Sequence, residues 1–166
     1  MGGVVVHTLE SKKKKAIEIG VLFLLYTALG ISVEVIFTGI ADIIRDHIAG
    51  RDFDATMPCR ASLWVIPVYA VSATAAFSII GAWLPRLFSW PWWLRGTIYM
   101  IVIYCFEYIW ALGLDNLLSI QVWNYENSEY HIWRYINPYF CVFWFAFGFA
   151  LEKVKLVILP RLLKNS

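Results

Sequence analysis

Four apolar runs leave this chain few ways to fold. They cover about residues 16–40, 62–84, 96–118 and 135–159. Each reaches or approaches the roughly 20 residues that a helix needs to cross a ~30 Å hydrocarbon layer. The sequence therefore predicts an all-α integral membrane protein with four transmembrane helices. A mean hydropathy of +0.64 and 60% hydrophobic residues agree, since a soluble domain carries about 45–50% apolar residues. Nine Trp and nine Tyr suit a chain that meets two membrane interfaces.

The runs divide the chain into a basic leader (1–15), a membrane domain (16–159) and a basic tail (160–166). Charge sets the orientation. Four spans put the leader, the middle connection and the tail on one side, with Lys12 to Lys15, Arg86, Arg95, Lys153, Lys155, Arg161 and Lys164. The other side holds Arg45, Arg51, Arg60 and Arg134. The excess of basic residues places both termini in the cytoplasm. The four-lysine block beside a span reads as an anchor on anionic lipid rather than a nucleic-acid site. Trp90, Trp92 and Trp93, around Pro91, read as interfacial anchors.

Two acids lie inside the runs. Glu34 sits in the first and Glu107 in the third, both toward the outer side. Each has a Tyr eight residues before it (Tyr26, Tyr99), an Ile two after and an aromatic residue three after. This match points to two tandem two-helix hairpins, each with one acid. Gly30, one turn before Glu34, permits close approach of a neighbouring helix. Each hairpin also supplies one Arg just before its second span, Arg60 or Arg134, as a charge partner for an acid. The acids have two readings. In one they are structural, neutral or hydrogen-bonded. In the other they carry a proton or cation, because ionisable residues inside a membrane are costly unless used.

Reaction chemistry is absent from the pattern. Three cysteines form no CxxC, and none of the three His lies within a span, which argues against a zinc site, a disulfide framework or a mid-membrane haem. There is no P-loop and no GxSxG. Asp42, Asp46, His47, Asp52 and Asp54 lack a metal-ligand spacing and read as a solvated outer segment. The expectation is no enzyme, no catalytic residue, no cofactor and no metal.

Residues 30–40 (GISVEVIFTGI), 62–70 (SLWVIPVYA), 95–114 (RGTIYMIVIYCFEYIWALGL) and 122–125 (VWNY) resemble a family of small four-span bacterial membrane proteins. These go under the label of putative ABC-transporter permeases, with related vertebrate transmembrane proteins of unknown role. The positions that carry the resemblance are Glu34, Trp64, Pro67, Tyr69, Arg95, Gly96, Tyr99, Glu107, Trp123 and Tyr125. Ala70 stands where the family often has Gly, and Asn124 where it often has Asp.

The leading functional expectation is a non-enzymatic accessory or structural subunit, packed by its aromatic surfaces within a larger membrane complex. Its partners are then the bilayer and other membrane subunits or further copies of itself, with no nucleic acid. The alternative is a small transporter or channel component with Glu34 and Glu107 in the path.

Overall fold

The computed structural model describes residues 2–52, 61–83 and 86–164, with side chains for 12–52, 61–77 and 86–164. Among these residues the protein is all-α, apart from one isolated bridge between Ile132 and Ile136.

Helix α1 spans Gly2–Ile48. At 1.5 Å per residue it is about 70 Å long, more than twice the hydrocarbon thickness. It runs through the lysine block and past residue 40, because no proline interrupts it. It ends at Gly50, whose φ of 67° is a backbone state that only glycine adopts without strain. There the Gly50 and Arg51 N–H groups donate to the His47 and Asp46 carbonyls. The outer segment expected from residue 41 is thus helical over its first turns.

Helix α2 (Val65–Trp83) starts with Pro67 in its first turn, where the missing N–H costs least. Helix α3 (Trp92–Leu118) starts after Pro91 and stops at Ser119, a left-handed residue whose N–H donates to the Asp115 carbonyl at 3.0 Å. Helix α4 (Cys141–Lys153) follows a single turn, Pro138–Phe140, capped by the Asn137 carboxamide on the Tyr139 N–H.

Pro160 reads in sequence as a helix stop, yet the helix passes it. A wider π turn, Val154–Ile158, precedes α5 (Leu159–Lys164). That turn lies where the proline ring would otherwise meet the preceding turn, and the wider winding admits it.

Lys12–Ile48 and α3 are each long and apolar enough to cross a membrane, and α2 has a shorter apolar stretch, Val65–Phe77. Leu22, Tyr26, Phe77, Leu87, Tyr99, Trp144, Phe147 and Leu151 form the core between the helices. Close approach rests on glycines with a ring laid over each. A methyl group built on Gly30 overlaps Tyr69, one on Gly148 overlaps Tyr99, and one on Gly96 overlaps the far edge of Phe145. Small residues let membrane helices come close enough for such packing.

Residues 119–137 fold back over the C-terminal end of α3. Trp133 and Arg134 are both left-handed, at φ 46° and 55°. This turn lets the Arg134 carbonyl accept from Tyr125 N–H at 2.8 Å, while the Tyr135 carbonyl accepts from Trp123 Nε1–H at 3.1 Å. Tyr104, on α3, donates to the Asn137 carbonyl at 2.9 Å and ties the lid to the bundle.

Candidate functional site

The two intramembrane acids come from different helices, α1 and α3, and line one cavity of about 50 Å³. A water needs roughly 10–15 Å³ of such space, so the cavity suits a few waters or one small ion. Its wall is aromatic: Phe37, Tyr69, Trp123, Tyr125, Phe140, Phe143 and Trp144. Among the described residues, no basic side chain lines it. Tyr69 Oη donates to Glu34 Oε2 at 3.2 Å. The Trp144 indole N–H, in a residue only 6% exposed, is directed to Glu107 but lies outside hydrogen-bond geometry. Ring contacts brace the wall, with Phe37 edge-on to Phe140 and Phe143 edge-on to Trp144, both at 4.9 Å between centroids. Tyr125, in the lid, is half-buried and lines the same cavity as both acids. That burial first, then the charges of Glu107 and Glu34, pushes its hydroxyl above the usual phenol range.

A second cavity of about 40 Å³ adjoins the first and shares Tyr69 and Glu107 with it. Apart from Ser72 and these two, its wall is almost wholly apolar until it reaches Tyr99. Tyr99 Oη donates to Glu152 Oε2 at 2.5 Å, and Arg95 Nε lies 3.3 Å from the same oxygen. The Arg95 contact is electrostatic rather than an aligned hydrogen bond; its Nη1 instead donates to the Phe88 carbonyl at 2.7 Å.

The same local device thus occurs twice. On α1, Gly30 receives the Tyr69 ring and Glu34 receives its hydroxyl. On α4, Gly148 receives the Tyr99 ring and Glu152 receives its hydroxyl. Both acids follow their glycine by four residues, one helical turn, so the ring lies over the glycine and reaches the acid above it. From sequence, Glu152 reads as an interfacial partner of Lys153 and Lys155. Instead it turns inward to Arg95 and Tyr99, and Lys155 reaches Glu18 at 3.8 Å. The repeated Gly-x-x-x-Glu was the signal available for it.

The proposed Arg partners go elsewhere. Arg134 pairs with Asp115 at 3.1 Å and Glu126 at 3.6 Å, and Asp115 also accepts from Tyr135. It braces the lid and does not pair with Glu107. Arg60 lies outside the described residues. Trp64 does not line the cavity; its carbonyl accepts from Trp110 Nε1–H at 3.0 Å. Asn124 turns away too, accepting the Glu126 N–H at 2.8 Å. Buried Ala70 has no exposed surface. Trp92 and Trp93 are exposed, whereas Trp90 packs against the core. The Tyr26 and Tyr99 of the internal match both reach α4, where Tyr26 donates to the Leu151 carbonyl at 3.3 Å.

A family model described as "Putative ABC-transporter type IV" matches residues 21–166, a range holding both acids, the aromatic cavity and the Tyr99–Glu152 pair. The chain belongs to this family. Together with its two long apolar helices, membership in the putative ABC-transporter type IV family makes it a transporter-related membrane protein. No curated protein and no solved structure matches it.

Proposed function

We propose that the chain is a non-enzymatic, multi-pass component that takes up a cation or proton in the cavity between Glu34 and Glu107 and passes it within a transport system. One observation carries this reading. Two carboxylates from different helices face a single small cavity that, among the described residues, no basic side chain lines. Buried charges need a partner, and two like charges in one low-dielectric site cannot both stand uncompensated. A proton or a cation supplies the compensation. In this reading onward transfer runs from Glu107 along the adjoining cavity to Tyr99, whose hydroxyl donates to Glu152.

In this reading the chain crosses the membrane four times, near residues 16–40, 62–84, 96–118 and 135–159, with both termini in the cytoplasm of a bacterial cell. Helix length supports it. Helix α2 has 19 residues, about 28 Å, and α4 through α5 forms an unbroken rod of about 36 Å. The test is flux in proteoliposomes with a pH-sensitive dye inside and a cation gradient imposed. Glu107→Gln should abolish flux while the protein still elutes as a folded species. Equal flux in that variant, or none in the unaltered protein, overturns the reading.

A second reading, an accessory subunit packed in a larger complex or against its own copies, is favoured by a separate feature. The outer half of α1 carries an exposed ridge of Ile36, Ile40, Ile44 and Ile48, beside a groove of about 600 Å³ closed by Phe140 and Phe143. Gentle extraction followed by native electrophoresis and mass spectrometry decides it. A stoichiometric partner lost on changing Ile36, Ile40 and Ile44 to Ala supports it; a lone monomer removes it.

A further inference from the structure

We infer that the cavity between Glu34 and Glu107 binds a small ammonium ion, ammonium or a methylated amine, in preference to an alkali metal ion. This rests on the cation-site reading above and names its ligand class. The two carboxylates supply compensating charge. The wall decides the kind of cation. Na⁺ and other hard ions are held by cages of oxygen ligands. Here the lining side chains that carry oxygen are Glu34, Glu107, Tyr69 and Tyr125, while seven of the twelve lining residues are aromatic, so rings rather than an all-oxygen cage make most of the wall. Ring faces attract a cation through their quadrupole, and an aromatic cage with an acid is how proteins hold alkylammonium groups.

The cage is built before any ligand arrives. Phe37, Phe140 and Tyr125 pack ring on ring, as do Phe143, Trp144 and Tyr69. The Glu34 and Glu107 carboxylates are the acceptors the wall offers to ammonium N–H groups, and its rings are the surface it offers to a methyl group. The Trp144 indole N–H adds a second observation. It is buried on the cavity wall and directed to Glu107, yet outside hydrogen-bond geometry, so the Glu107 carboxyl has room to shift around a small ion. The size also fits, since about 50 Å³ excludes a drug-sized molecule and admits one small ion.

The test uses the full chain in phosphatidylglycerol nanodiscs. Methylammonium, ammonium, K⁺ and Na⁺ chlorides are titrated at constant ionic strength, reading tryptophan fluorescence, with Trp144→Phe to attribute the change. The expected result is saturable binding of methylammonium at least tenfold tighter than K⁺, weakened tenfold or more in Glu34→Gln. Tyr125→Leu removes one cage wall and leaves both acids, so it should collapse the preference toward unity while cation binding persists. Repeating the titration in phosphatidylcholine discs separates two sources of the same chemistry. Loss of the methylammonium response there identifies the lipid headgroup as the occupant; an unchanged response identifies the free amine. Equal affinity for K⁺ and methylammonium, or proton flux with no cation binding, overturns the ammonium assignment and leaves the cation-site reading standing. Absence of both binding and flux overturns both.

Discussion

Gly30→Ala is the sharpest test of how this bundle is held together. In most helices the change stabilises by about 1 kcal/mol, the difference in helix propensity. Here the new methyl group overlaps Tyr69 Cβ and Cγ, atoms anchored to the α2 backbone, so the ring cannot rotate away. Carbon atoms pack at about 3.5–4.0 Å, so α1 and α2 must part by something of order 1 Å. Overpacking of that kind costs about 1–3 kcal/mol. Parting the helices also draws Tyr69 Oη from Glu34, already at 3.2 Å, and an unsatisfied buried polar group adds about 1–3 kcal/mol. The steric and hydrogen-bond losses exceed the propensity gain, for a net destabilisation of roughly 1–5 kcal/mol. Gly113→Ala and Gly20→Ala are the internal controls, because a methyl group at either meets nothing within 4 Å. Thermal unfolding in one detergent should rank the variants, with Gly30→Ala several degrees below the parent and both controls at or above it. Gly148→Ala, which overlaps Tyr99 Cβ, should follow Gly30→Ala. Gly96→Ala should cost less, because it meets only the far edge of Phe145. If Gly30→Ala is as stable as Gly113→Ala, the account of a ring seated on a glycine fails.

Other outcomes follow from the same geometry. Glu152→Gln leaves Arg95 without its carboxylate in a half-buried site, so stability should fall by roughly 1–3 kcal/mol, and Arg95→Met with Glu152→Gln should recover part of it; additive losses in the double variant refute the pairing. Arg134→Ala removes the brace on Asp115 and Glu126, and residues 119–137 should then exchange amide hydrogens and be cut by protease faster, while the helices stay protected; unchanged protection refutes a bracing role. Cys105 is exposed on α3, so if that helix faces lipid a membrane-permeant maleimide should label it and a charged one should not until detergent is added. Rapid labelling by the charged reagent in intact membranes places α3 outside the bilayer. Tyr69→Phe keeps the ring on Gly30 and removes only the hydroxyl, so it should lower stability by about 1 kcal/mol yet change flux more than it changes folding.

Much of the architecture is legible in the sequence because lipid constrains it strongly. Long apolar runs, flanking basic residues and interfacial tryptophans fix where helices form, whatever their neighbours are. The two acids stand out for the same reason: a carboxylate is conspicuous where nearly every neighbour is apolar. Helix ends were less legible. Pro160 halts a helix only if the turn before it keeps the α winding, and the π turn at Val154–Ile158 removes that condition. Pairings were the least legible. Arg134 belongs to the same expected hairpin as Glu107, yet two consecutive left-handed residues turn it back to Asp115. Glu152 looked outward beside its lysines and turned inward, because Gly148 lets Tyr99 come close enough to offer it a hydroxyl.

The sequence by itself determined that this chain forms apolar helices with acids embedded in them, since hydropathy and period are local properties of the residues. Only the tertiary structure decided that Glu34 and Glu107, 73 positions apart, share one aromatic cavity, and that Glu152 belongs with Arg95 and Tyr99. The physical reason is that apolar helices attract one another without direction. Which faces meet is settled by where a glycine admits a ring, and that depends on two helices at once.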